Sequence, residues 1–211
     1  MPIFWDSETK QYVEREEPAR SGPIDWREIR ALSDQSLSST TTAALDFTDR
    51  MLEGDVDAST WYEYMRTEIK DEHIRQYVLA RGGRDRMSQQ DWGSVGGMIG
   101  SQYSPYLRDF YAQVLAGDVV DGQVRVRVQM YINAAREAYE RAFARNAEQA
   151  GYTQEKWVLG IAEHCDDCVD FAAEGWQDFD HFPYPGEGAT ICLTNCQCHK
   201  EYRNDQGEVY Q

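Results

Sequence analysis

The sequence predicts a mainly α protein: a helical body, preceded by an extended N-terminal arm or hairpin and followed by a small zinc-stapled α+β module. Three observations carry this. Apolar residues recur at helical spacing between residues 23 and 150. The first 22 residues mix short β-prone runs with charged and proline-containing stretches. All five cysteines of the 211-residue chain fall between Cys165 and Cys198. Residues 1–22 are accordingly read as arm and linker, 23–150 as the helical domain, and 151–211 as a cysteine-rich zinc-binding module.

In the arm, IFWDSETKQYVE sets Ile3–Trp5 and Gln11–Val13 around the polar Asp6-Ser7-Glu8-Thr9, the pattern of a small hairpin. EREEPARSGP then reads as a linker. A hairpin this short is marginal in water and cannot bury Phe4, Trp5 and Tyr12 alone. Those three are therefore candidate partner-binding residues, on an arm expected to order against a neighbouring chain.

The first helix is expected to start near Pro23, where a missing N–H costs little. Its apolar pattern begins with Ile24, Ile29, Leu32 and Leu37 and resumes at Leu45. A break is expected across Ser38-Ser39-Thr40-Thr41-Thr42, a run of weak helix formers. A second helix is predicted from about Ala58 to Ala80, with Trp61, Met65, Glu68, Ile69, Glu72 and Gln76 at helical spacing and Gly82-Gly83 as its stop. Ser88 is the expected N-cap of a third, with Asp91 in its first turn. Pro105 should kink or split that helix before it ends near Leu115. It also carries Gly93, Gly96, Gly97 and Gly100 on one side. That stripe implies either close approach of another helix or a hinge. A fourth helix, Gly122–Gln149, lines up Val124, Val128, Tyr131, Ile132, Ala135, Tyr139, Ala142 and Phe143. Beyond Gly151 the periodicity is brief: KWVLG reads as a strand, CVDFAAEG as one or two helical turns, and CHKEYR as a final strand.

Charge restricts the partners. The chain has 21 basic and 37 acidic residues, net −16. Three basic against twelve acidic residues lie beyond Gly151, so that module alone carries −9. Such a surface repels nucleic acid and anionic membranes. No stretch reaches the ~20 apolar residues of a membrane span, and the N-terminus lacks the pattern of a signal peptide. Synthesis in the cytoplasm, where thiols stay reduced, is the expectation.

Cys165-Asp-Asp-Cys168 has the spacing of a zinc knuckle, and 23 residues separate it from Cys192-x3-Cys196-x-Cys198, followed by His199. Zinc takes four tetrahedral ligands, preferably thiolate and imidazole. The reading selects Cys165, Cys168, Cys192 and Cys198 around a structural zinc ion. Cys196 is the rival for the third place, and His199 or His164 would ease the repulsion among thiolates. Disulfides formed outside the cell, or unliganded buried thiols, are the alternatives. His73, with Glu68 and Glu72, forms the one conceivable acid–base group, on what otherwise reads as a solvated helix face.

At these residues the chain resembles a known family. CDDC, a Gly-Trp, a Pro-Gly loop and CLTNCQCHKEYR are similar to the C-terminal module of tailed-phage head-morphogenesis proteins of the Mu protein F-like type. There a CxxC precedes a proline-rich loop and a motif close to H-P-N-C-R-C. Cys196-Gln-Cys198 matches its Cys-x-Cys, while Cys192 stands near the family's His, one residue farther away. FWDSETKQY and WYEYMRTEIKDEH…WGSVGGMIGSQYSPYLRDF also look like phage structural proteins that carry this module. The resemblance implies a virion or head-assembly component, made in the host cytoplasm, present in several copies and contacting portal or capsid protein. It implies no reaction, and the chain is not expected to be an enzyme. The runner-up is an enzyme or toxin-like modifying protein carried with such a module, using Glu68, Glu72 and His73.

Overall fold

The computed structural model of the chain describes residues 26–210, and the backbone of 3–6 and 11–14. Those two short segments are strands β1 (Ile3–Asp6) and β2 (Gln11–Glu14), paired antiparallel with Trp5 opposite Tyr12. The contacts expected of the Phe4, Trp5 and Tyr12 side chains, and the linker after them, lie outside the described residues.

Helix α1 (Trp26–Leu52) runs unbroken through the Ser/Thr stretch. The expected break fails because tertiary contacts outweigh weak propensity. Ser39 and Thr42 hydroxyls donate to the Ser36 and Ser38 carbonyls one turn back. Ser36 and Thr40 hydroxyls donate to Glu72 on α2 (Ala58–Arg81) at 2.9 and 2.8 Å. Asp57 caps α2 through the Thr60 amide, and Gly82 ends it in the left-handed conformation at φ 78°. That conformation favours glycine because it has no Cβ to clash.

Ser88 and Asp91 form a reciprocal capping box on α3 (Gln89–Ser101). A wider-wound turn over Gln102–Leu107, holding Pro105, separates α3 from α4 (Arg108–Ala116). The anticipated fourth helix is two, α5 (Asp121–Asn133) and α6 (Ala135–Gln149), meeting at Ala134. All eight residues assigned to its apolar face are buried.

Helix α2 is the axis of the body, in contact with α1, α3, α4, α5 and α6. One end of the core gathers Leu37, Trp61, Met65, Ile69, Phe110, Val128 and Ile132. The other gathers Tyr77, Val95, Ile99, Tyr139, Ala142 and Phe143, together with Tyr202 from the C-terminal sheet. That sheet is antiparallel, in the order β4 (Trp176–Asp178), β3 (Gln154–Val158), β5 (His199–Arg203). Strand β5 lays Lys200 and Tyr202 against α6. The C-terminal module thus shares core with the helices. The short helix α7 (Asp166–Ala173) lies over β3.

Among the described residues the glycine stripe of α3 packs against no other helix: Gly93, Gly96, Gly97 and Gly100 are exposed, and a Cβ at any of them would meet nothing within 4 Å. Val95 and Ile99, on the opposite side, are the residues that face the core.

Candidate metal centre

Two chain segments bring the sulfurs together. Cys165 stands at the N-terminus of α7 and Cys168 one turn later, so both point to one spot. The second segment reaches that spot by a tight turn at Cys192–Cys196 and a return through Cys198 into β5. Asp167 accepts the Ile191 amide at 2.8 Å, and Asn195 meets Asn133 of α5 at 2.8 Å. These contacts fix the loop to α7 on one side and to the helical body on the other.

Three of the sulfurs stand as neighbouring corners of a tetrahedral site would. Cys165 Sγ is 3.5 Å from Cys168 and 3.6 Å from Cys192; Cys168 is 3.7 Å from both Cys192 and Cys196. Four thiolates at the usual zinc–sulfur bond length stand about 3.8 Å apart. No pair is joined as a disulfide. The ligating atoms form two overlapping groups, Cys165/Cys168/Cys192 and Cys168/Cys196/Cys198, with Cys168 common to both.

Of the anticipated set, Cys165, Cys168 and Cys192 are brought together, whereas Cys198 stands in the second group with Cys168 and Cys196. His199 does not join these groups. It begins β5, its burial lowers its pKa, and its charged neighbours include Arg30 and Glu140 of the helical body. The nearer imidazole is His164, whose Nδ1 lies 3.7 Å from Cys198 Sγ.

Cys198 is prepared to be a thiolate. The Cys196 thiol donates toward it and, with the Gly160 amide and the Trp157 indole N–H, pulls it down to about 5 against its burial. Cys196 is pushed up in turn, first by its bond to Cys198 and then by burial, while burial dominates the upward push on Cys168. Burial opposes ionisation of Cys165, but amide donors from Cys168 and Cys192 outweigh it and lower that thiol. Such N–H to sulfur bonds disperse thiolate charge around a cation.

Gly160 is required here sterically. A Cβ on it would stand 2.0 Å from the Gln197 carbonyl oxygen, so only glycine lets the segment before α7 lie against the Cys196–Cys198 turn. The neighbouring core is small: Trp157, Phe171 and Phe182 beside Cys168, Cys196 and Cys198. Beneath it, Lys200 is fully buried, with Nζ 2.8 Å from Glu155 Oε2 and 4.0 Å from the Tyr184 ring centroid. Glu155 also accepts the Phe182 amide at 2.6 Å, and Glu140 of α6 accepts Arg30 at 2.6 Å. Sequence reading passed over Glu155, Lys200 and Glu140. A charged residue inside an otherwise apolar strand such as EKWV is the one sign it offered.

Glu72 and His73 do not form a solvent-reached acid–base pair. Glu72 is buried, accepting from Ser36, Thr40, Arg75 and Gln76. His73 is buried with Nδ1 2.7 Å from the Ile69 carbonyl, and burial lowers its pKa to about 4. Glu68 pairs with Tyr64 instead.

No helix among the described residues is long and apolar enough to cross a membrane. No family model, curated protein or solved structure matches the chain.

Proposed function

We propose that this chain is a structural and interaction protein whose C-terminal knob is stapled by one zinc ion, and that it acts in the assembly of a tailed-phage head. The observation that carries the metal reading is the convergence of sulfurs from two loops, with Cys165, Cys168 and Cys192 mutually at separations a tetrahedral ion requires. Zinc suits the site because the donors are soft thiolates with an imidazole near. Bound there, it would supply a rigid crosslink between α7 and the Cys192–Cys198 loop, which is the chemistry of a structural site. Cys165, Cys168 and Cys192 would hold three positions; Cys196 and Cys198 compete for the fourth.

The head-assembly reading rests on the resemblance of CDDC…CLTNCQCHKEYR to the phage module, and on the acidity of the knob, which suits contact with a portal or capsid protein. Elemental analysis of the reduced protein should give about one zinc per chain. No metal, together with two intact disulfides, would overturn the zinc reading. Stoichiometric recovery of the chain in purified phage particles is the expected result for the assembly role; its presence only in infected-cell lysate would sink that role.

A further inference from the structure

Between Lys156 and Lys200 the chain has no lysine or arginine, yet it has eight acidic residues. Glu163, Asp166 and Asp170 are exposed beside the cysteines. A zinc ion held by four thiolates would add about two further negative charges there.

Five aliphatic side chains stand exposed in the same place. Ile161 is 101% exposed and Ile191 65%, with Val169, Leu193 and Leu159 also out of the core. Ile191 and Leu193 flank Cys192, and Val169 follows Cys168. Leu159 and Ile161 flank Gly160, which lies on the turn between Cys196 and Cys198. The two sulfur groups share Cys168, so these side chains lie on segments that meet at the cysteines. Ile191 is tied to the first turn of α7 by its bond to Asp167. Leu193 is held at φ 52°, a left-handed conformation that strains a leucine. An aliphatic rim presented outward on a strained turn does not serve the knob's own small core. Clustered exposed apolar groups within a polar surround mark interaction sites.

We propose that this rim is a docking face for a protein partner that offers an apolar anchor set among lysines or arginines. Its charge selects that partner: the same acids repel nucleic acid and anionic lipid. The aliphatic side chains give the contact an apolar centre, and the acids around them give it orientation and partner choice. This deepens the assembly role proposed above and rests on the knob being folded by its metal.

A fluorescent amphipathic Lys/Leu peptide and a Lys/Ser peptide of equal charge serve as probes, titrated into the full zinc-loaded chain by anisotropy. The Lys/Leu peptide should bind about ten-fold tighter than its partner. The double variant Ile161→Ser/Ile191→Ser should erase that preference, while Leu115→Ser/Val120→Ser, on exposed aliphatics of the helical body, should keep it. Binding should weaken as salt rises from about 50 to 500 mM. Equal binding of the two peptides, a preference lost only in the Leu115/Val120 variant, or insensitivity to salt would each overturn the proposal. So would tight binding to anionic vesicles. A homodimer abolished by Ile161→Ser/Ile191→Ser would overturn it in favour of a second copy as occupant. Zinc content is read on the same samples: a chain without zinc marks failure of the metal reading, and a zinc-loaded chain that does not discriminate marks failure of this one.

Discussion

Trp61 of the helical body belongs to an apolar cluster drawn from α1, α2, α4 and α5, whereas Trp157 of the knob meets two phenylalanines and the cysteine sulfurs. Both indoles are fully buried, but the enclosures differ in kind. In the body many interchangeable contacts share the work, and the loss of one methyl group costs about 1 kcal/mol. In the knob three aromatic rings cannot offset the entropy of the ordered loop from 159 to 198. Stability there is concentrated in a few atoms, chiefly the sulfurs and the buried Lys200–Glu155 pair. A distributed core tolerates substitution and resists chelators; a concentrated one does neither.

The sharpest way to break that contrast is Cys168→Ser. Cys168 belongs to both sulfur groups and is wholly buried. The variant should lose metal and unravel the loops of the knob, a loss above about 5 kcal/mol locally. Helical circular dichroism should stay nearly unchanged, with Trp157 fluorescence reporting the collapse of its surroundings. A proportional loss of helix would mean that the two regions fold as one unit through the shared Tyr202 contact.

The reciprocal test is Glu72→Ala. It removes the acceptor of hydrogen bonds from Ser36, Thr40, Arg75 and Gln76, including the 2.7 Å ion pair with Arg75, at about 3–5 kcal/mol. Thermal unfolding of the helices should shift down while zinc stays bound below the new midpoint. Early release of zinc would show that the body holds the metal site together.

Acid should weaken the body through His73. Its folded pKa of about 4 lies below the ordinary value of 6.5. The unfolded chain therefore takes up the proton first. Stability is unaffected above 6.5, falls as pH drops from 6.5 toward 4, and loses about 3 kcal/mol at most. Urea titrations across that window should show a smaller decline for His73→Leu than for the wild type. Parallel declines would place the acid sensitivity elsewhere.

The smallest expected effect is a gain. Gly96→Ala and Gly97→Ala, with open space around each new methyl, should stabilise α3 by about 0.5–1 kcal/mol apiece. Unchanged stability with lost incorporation into particles would favour the hinge reading of the stripe.

Periodicity made the body legible because Val124 to Phe143 repeat one face for five turns, and caps such as Ser88–Asp91 and Gly82 are local codes. It misread residues 38–42, since the partners of the Thr40 hydroxyl, Glu72 and Arg75, lie over 30 positions away. It misread the glycine stripe because spacing places residues on one face and says nothing of what faces them. The cysteine spacing pointed to thiols that gather in space, but which of them group together depends on how the loop folds back. Strand β4, of three residues, is too short for any period, and its place is set by pairing with β3.

The absence of lysine and arginine between Lys156 and Lys200 has a practical corollary. Trypsin can cut after Lys156 and after Lys200, so it excises residues 157–200 as one 44-residue peptide holding every sulfur. Lys200 is buried in β5, which closes that second cut until the strand opens. The rate at which the peptide appears is therefore a clock for local opening of the knob. Its mass is a ledger of the thiols, two hydrogens lighter for each disulfide formed and unshifted where all five stayed reduced.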